Sequence, residues 1–463
     1  MQRRSFLTSA AAGAGGLILP RGPIFGQNAP GNKLNIALIG VGGRGTAHYN
    51  VLSNENVAAL CDINENALAE GAKRFPQAKH YIDWRKCVDQ KDLDAVVCCT
   101  TDFTHAFVAN WAMNRGLHVY CEKPLGITVE EARVVRATYL KNKNKLATQH
   151  GTQRHAYPNF NRVRELVRDG AIGELRNVSA WGNRKIPKPG YLPSAGVPPS
   201  HLHYELWIGP TAYHPYNPDY FSGGPGANCL QWNMYWDFGT GQIGDMGAHT
   251  MDLAWNALDA GLPLTAEAEG EPFNADVTPV LLKQAFRLPA NDWRPAIDVA
   301  WHQGGSMPDS PKPFLDLNKI GHGAMFEGTK GVLVADFQNR LLIPGGDMTY
   351  YNRRAASEIL PNMGGLEEIS AFGRDAGEAQ ARERRAAGSV FQQEWIDACK
   401  GNLKTSCDFD YAGKMIEMLM LGLVAYRVGQ KLEYDGEAGR VTNVPEANEL
   451  LARKYRSGWT LNG

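Results

Sequence analysis

From Lys33 onward, short apolar runs alternate with stretches whose apolar residues recur at helical spacing, the pattern of a parallel sheet covered by helices. Leu34 to Ile39 reads as a first strand that ends in a glycine-rich turn and a helix. Val57 to Cys61 is a second strand, stopped by Asp62 and followed by a helix over Asn64 to Phe75. Asp94 to Cys99 is a buried strand, His105 to Arg115 a helix, and Leu117 to Cys121 a further strand. Thr128, with Glu131 three residues on, has the spacing of a capping box and starts the next helix. A strand near Lys145 to Gln149 closes this domain.

Beyond about residue 150 the rhythm loosens. A helix over Asn159 to Arg168 precedes a strand over Leu175 to Trp181, and a stretch rich in Pro, Gly, Tyr and His then runs to Gly241. Loops of such length inside a domain are usually functional. Strands are expected at Gln284 to Arg287, Ala296 to His302, Met325 to Glu327 and Gly331 to Asp336. The charged stretch Ser357 to Ala387 reads as an exposed loop or lid, and helices at Val390 to Lys400 and Tyr411 to Val428 complete the chain.

A chain of 463 residues suffices for two domains with their own cores. Its 48 basic and 48 acidic residues cancel, so no global field draws it to nucleic acid or anionic lipid. The cysteines form no C-x-x-C pair and read as small core hydrophobes, not as a zinc site or disulfide framework. The leader differs from the rest. Arg3-Arg4, Ser5-Phe6-Leu7 and the small apolar run Thr8 to Leu19 resemble a twin-arginine export signal over residues 1–30. That resemblance implies export of the folded protein, with the twin-arginine machinery as a partner and the periplasm or the medium as destination. The apolar run is too short for a stable membrane anchor.

Gly40-Val41-Gly42-Gly43-Arg44-Gly45 fits G-x-G-x-x-G in the one context that gives this motif force. It follows a strand, opens a helix, and precedes Asp62 at the end of the next strand by 22 residues from Gly40, close to the expected ~20. Glycines let amide groups approach a pyrophosphate, and Asp62 accepts from ribose hydroxyls. The expected fold class is α/β with a Rossmann domain over 33–150, and the expected cofactor is NAD. Asp62 repels a 2′-phosphate, and Ile63 to Asn66 offer no cation to offset it.

Cys121-Glu122-Lys123-Pro124-Leu125 follows a strand of the same sheet. Together with the glycine fingerprint it resembles the Gfo/Idh/MocA family, which includes glucose–fructose oxidoreductase and inositol dehydrogenase. The resemblance implies a second, substrate-binding and oligomerising α+β domain over 151–463 with a mainly antiparallel open sheet. It also implies a homo-oligomer and a sugar-like small-molecule substrate. It makes Lys123 catalytic, its ammonium stabilising alkoxide character during hydride transfer.

In Gly244 to Asp252, positions 245, 249 and 252 share one face if the segment is helical. By the same resemblance His249 is the general acid or base, suited by its near-neutral pKa, and Asp245 orients it or meets substrate. Asp252 reads as structural. A metal at Asp245, His249 and Asp252 lacks a further His or Cys cluster, so no metal is expected. The resemblance further points to Thr101, His105, Glu122 and Gln149 along the cofactor. It points to Arg154, His155, Tyr235 and Trp236 along the substrate, the two aromatics being as compatible with core packing. Two other readings stay open. Trp236 to Gly241 is similar to a branch that hydrolyses glycosides by transient oxidation, elimination and re-reduction, although Lys123 is the dehydrogenase form. The other is a non-catalytic sugar or NAD sensor.

Overall fold

In a computed structural model that describes residues 32–223, 229–344 and 378–462, the first six strands form one parallel sheet. They are β1 (Asn35–Ile39), β2 (Asn56–Cys61), β3 (Lys79–Tyr81), β4 (Ala95–Cys98), β5 (His118–Cys121) and β6 (Thr148–His150), in the order β3-β2-β1-β4-β5-β6. The strand order reverses between β1 and β4, so their carboxyl ends diverge into a crevice, the ligand site of doubly wound sheets. The residues of β4 are all buried, as the unbroken apolar run anticipates. β3 escapes the hydrophobic pattern because it is a three-residue edge strand with polar, exposed residues.

Two start signals differ in detail from expectation. The helix expected from His105 begins at Asp102, capped by Thr101. At the capping box, Thr128 Oγ1 accepts from the Glu131 amide (3.1 Å), but the Glu131 carboxylate reaches past Thr128 to the Ile127 amide (2.8 Å). The leader lies outside the described residues.

The second sheet runs β13-β12-β11-β7-β10-β9-β8-β14-β15. Its strands are β7 (Leu175–Gly182), β8 (Thr265–Gly270), β9 (Leu282–Leu288), β10 (Ile297–Gln303), β11 (His322–Gly328), β12 (Gly331–Ala335), β13 (Arg340–Pro344), β14 (Leu432–Asp435) and β15 (Arg440–Val441). Only β7 and β10 pair in parallel, so the sheet is mainly antiparallel. In β9 buried and half-buried residues alternate, the period-two signature of a one-sided core.

The C-terminal segment returns to the first domain. Helix Glu378–Lys400 begins well before the expected Val390, because the stretch read as a loop becomes helical from Glu378; residues 357–377 lie outside the described set. It lays Phe391, Trp395 and Ile396 on the sheet face formed by Ile36, Leu38, Val97 and Tyr120. Truncating a buried aromatic such as Trp395 costs about 3–5 kcal/mol. Helix Phe409–Val428 packs between helix Val129–Asn142 and the second sheet. The terminal segment then straps helix Asp102–Asn114: Asn110 Nδ2 and Trp111 Nε1 donate to the carbonyls of Leu461 (2.7 Å) and Thr460 (2.8 Å). Arg453 bridges the Glu131 carboxylate (2.7 Å) and the Phe103 carbonyl (2.7 Å).

Candidate active site

The glycine turn is built for close backbone approach. Gly40 has φ +84°, and a Cβ there would meet the Cys99 carbonyl oxygen at 2.4 Å; one at Gly45 would meet the Gly40 carbonyl oxygen at 2.0 Å. Gly43 is also in the left-handed region, with open space beside it, and starts a tight 3-10 turn over Gly43–His48. Asp62 fastens the turn to β2. Its Oδ2 accepts from the amides of Val41 (2.8 Å) and Gly42 (3.1 Å), and its Oδ1 from the Asn64 amide (2.9 Å). Burial raises its pKa while these amides oppose the shift. The staple leaves acceptor capacity on Oδ1, so a bare glycine cradle beside an acid fits a dinucleotide.

At the end of β5, Glu122 and Lys123 part company. Glu122 is buried, and its Oε1 accepts from Arg44 Nε (2.8 Å) and His48 Nε2 (2.9 Å). Burial opposes ionisation, yet Arg44 and His48 hold the carboxyl at about 2. Arg44 therefore reaches from the glycine turn to brace the floor of the crevice.

Lys123 precedes a cis Pro124 and donates from Nζ to Asp245 Oδ1 at 2.5 Å. The Arg184 guanidinium donates to Asp245 Oδ2. Burial works against both charges, but each partner overrides it: Asp245 sits well below the usual carboxylate range and Lys123 above the usual amine value. Asp245 lies on a wide π turn, Ile243–Gly247, whose insertion before helix Ala248–Leu258 carries the acid across to Lys123. Such turns recur at functional sites.

His249, on the first turn of that helix, is buried, and its Nδ1 has no partner among the described residues. Burial, reinforced by the positive charge of Arg154, Lys123 and Arg44, pushes its pKa well below the ordinary histidine value. The imidazole is neutral at pH 7 and presents one bare nitrogen. Asp252 faces the same side, yet it bonds elsewhere, to His155 Nδ1 (3.0 Å) and Tyr411 Oη (2.6 Å). It is structural, as expected.

Several positions named from the sequence sit differently. Gln149 turns away from the crevice: its Nε2 donates to Glu394 (2.8 Å) and its Oε1 accepts from the Cys407 amide (3.2 Å), tying down the C-terminal helices. β6 extends one residue further than expected, to His150, and neighbouring strand residues face opposite ways. His150 is therefore the residue turned the other way. It is fully buried, neither ring nitrogen has a partner among the described residues, and burial holds its pKa at about 3, with Glu122, His105 and Lys123 nearby.

His155 is engaged by Asp252 beneath the site, so it does not offer a free ring to substrate. His105 is a clamp: its ring nitrogens lie 2.7 Å from the Pro124 carbonyl and 3.1 Å from that of Thr100. Thr101 caps the following helix without a side-chain cap bond. Arg154 lies 4.1 Å over the Phe337 ring. Tyr235 packs in an aromatic core with Tyr220 and Phe238. Trp236 donates to the Asn274 carbonyl (2.9 Å) and stacks on Tyr426. Both aromatics are thus packing residues. Arg184, His150 and Asp102 are the site residues that sequence reading missed. Parity along β6 alone could have signalled His150.

Residues 34–150 match the family model described as oxidoreductase family, NAD-binding Rossmann fold, and residues 184–286 match that family's C-terminal alpha/beta domain. Inositol 2-dehydrogenase of Salmonella typhimurium is 28% identical over 146 residues, 30% of this chain and 43% of that protein. A glycosyl hydrolase family 109 protein of Stenotrophomonas maltophilia is 30% identical over 200 residues, covering 39% of this chain and 42% of that one. These matches span less than half the length of either relative. Among solved structures, the WlbA dehydrogenase from Bordetella pertussis, in complex with NADH and UDP-GlcNAcA, superposes with a TM-score of 0.60 at 14% identity. That superposition covers 87% of this chain and 98% of that one, and establishes a shared fold.

Proposed function

We propose that this chain, a member of the Gfo/Idh/MocA oxidoreductase family, transfers hydride between NAD and a hydroxyl-bearing carbon of a sugar, cyclitol or sugar derivative. The observation that carries the reading is the Lys123–Asp245–Arg184 bridge, its acid buried, beside a neutral His249 at the crevice of an NAD-binding fold. When bound, the dinucleotide supplies the hydride acceptor. The chain's own groups handle the oxygen and its proton. Lys123 stays charged, so its ammonium donates a hydrogen bond to the reacting oxygen and stabilises alkoxide character there. The bare nitrogen of His249 takes the hydroxyl proton on oxidation and returns it on reduction. Asp245 and Arg184 fix the direction of the Lys123 side chain, and Glu122 with Arg44 braces the loop beneath.

The test is a panel of sugars, cyclitols and aryl glycosides, with cofactor absorbance read alongside product analysis. Redox change with a polyol and no aglycone release is the expected result; a chain inert to the whole panel overturns it. Release of a free aglycone would favour the second reading, NAD-dependent glycoside hydrolysis, which the hydrolase relative supports. Arg3-Arg4 and the short apolar run behind them support export by the twin-arginine route, with NAD bound before export and retained. Self-association into a homo-oligomer belongs to the same reading. No helix among the described residues is long and apolar enough to cross a membrane.

A further inference from the structure

Asp102 opens helix Asp102–Asn114 just beyond the carboxyl end of β4 and is only 5% exposed. Its Oδ2 is buried and has no hydrogen-bond partner among the described residues. An unpartnered oxygen in the interior is costly, so a buried carboxyl left this way either holds its proton or faces a ligand. Its place is well determined. β4 and β5 pair in register, Cys98 opposite Cys121, so the segments that carry Asp102 and Lys123 leave the sheet side by side. His105, one turn further along the helix, lies against both the Thr100 and Pro124 carbonyls and holds those segments together. The charged and titratable groups around Asp102 are Lys123 at the end of β5, Asp245 on the π turn, Cys229 on the short helix Cys229–Trp232, and Arg184, bonded to Asp245.

We propose that Asp102 is a second proton-carrying group of this crevice, a positioning residue that leaves the Lys123 ammonium to the reacting oxygen when protonated and competes for it when ionised. The chemistry rests on the hydride-transfer reading; the placement and the proton do not. Lys123 and Arg184 bring two positive charges and Asp245 one negative. A protonated Asp102 leaves one positive charge in surplus where alkoxide character develops, and an ionised Asp102 cancels it. Burial lifts the Asp102 carboxyl to about 7, with Lys123 pulling it down and Asp245 pushing it up. Neutral pH therefore divides its two forms, and the field at the reacting oxygen is strongest on the acid side.

The experiment compares the holoprotein with Asp102→Asn, which keeps the shape and removes the charge. A carboxyl whose pKa rises on folding binds a proton in the native state that the unfolded chain has released. Native wild type is thus penalised progressively from about pH 4 to about 7, and the penalty is constant above. The unfolding-midpoint difference between variant and wild type should widen from pH 5 to 7 and then level off. A purely structural role moves the midpoint equally at every pH, and that result would overturn the proposal.

Carboxyl carbon-13 NMR of aspartate-labelled wild type decides the matter should Asp102→Asn fail to fold. One buried aspartate should titrate near 7, and Lys123→Met should raise that value further by removing the cation that lowers it. A titration unmoved by Lys123→Met refutes the pairing. These readouts need no substrate. A chain inactive on every polyol but showing both titrations keeps the Asp102 assignment and loses only the reaction.

Discussion

Replacing Glu122 with glutamine keeps the size and both hydrogen-bond positions at the crevice floor but removes the charge that Arg44 answers. The Glu122 carboxyl is held at about 2, against 4.5 for the free side chain. At ~1.4 kcal/mol per unit, its ionised form is favoured in the native state by about 3 kcal/mol. The Arg44 side chain is 40% exposed, so solvent screens part of this, and about 2–3 kcal/mol is the better figure at pH 7. The sign follows from a depressed pKa. The contribution is complete above the unfolded value of 4.5 and is lost as pH falls toward 2. The loss caused by Glu122→Gln should therefore shrink by about two-fifths to a half on going from pH 7 to 3.5. Chemical denaturation of both proteins at the two pH values measures it, with the slope in denaturant checked for constancy. A Glu122→Gln chain as stable as wild type at pH 7, or one whose deficit is the same at pH 3.5, refutes the reasoning.

Lys123→Ala and His249→Ala should each lower turnover about a hundred- to ten-thousand-fold with dinucleotide binding largely intact; turnover within a few-fold of wild type removes the residue from the mechanism. Because burial and the positive charge of Arg154, Lys123 and Arg44 push the His249 pKa down, the acid limb that it contributes to kcat/KM should lie well below the ordinary histidine value, which a pH–rate profile checks. Gly45→Ala should abolish tight NAD binding, since its new Cβ would sit 2.0 Å from the Gly40 carbonyl oxygen; titration of dinucleotide fluorescence reads this out. NAD should bind more tightly than NADP because Asp62 is the acid beside the ribose position, and equal affinities would count against that role. Changing Arg3 and Arg4 together to Lys should block export while leaving activity unchanged, scored by fractionation.

The cradle was readable because its constraints are local. Gly40, Gly45 and Asp62 lie within one βα unit, and their backbone requirements appear directly as residue types. Lys123 and Asp245 could be named separately by resemblance, but their contact at 2.5 Å depends on a π turn that no spacing rule anticipates. Arg184 and Asp102 stayed hidden for a different reason. Each follows a strand end, where a polar residue ordinarily faces water; in the fold Asp102 is buried and Arg184 is partly covered by its bridge to Asp245. Gln149 against His150 was a matter of parity along β6: neighbouring residues face opposite sides, Gln149 toward the C-terminal helices and His150 the other way. Tyr235 and Trp236 show the converse: aromatics beside a functional segment can be serving the core.

The strap over helix Asp102–Asn114 and the Phe391–Trp395–Ile396 cover on the parallel sheet have a consequence for how the protein is made. On the ribosome the dinucleotide-binding half emerges first, yet part of one face of its sheet, around Tyr120, and the back of the helix that carries Asp102 stay uncovered until residues 391–461 have been translated. Domains that fold as units during synthesis can begin at once; this one can only be completed afterwards. Until then its apolar sheet face is open to chaperones. A nascent chain arrested near residue 300 should bind NAD poorly and be cut readily by protease, and release of the full chain should restore both properties together.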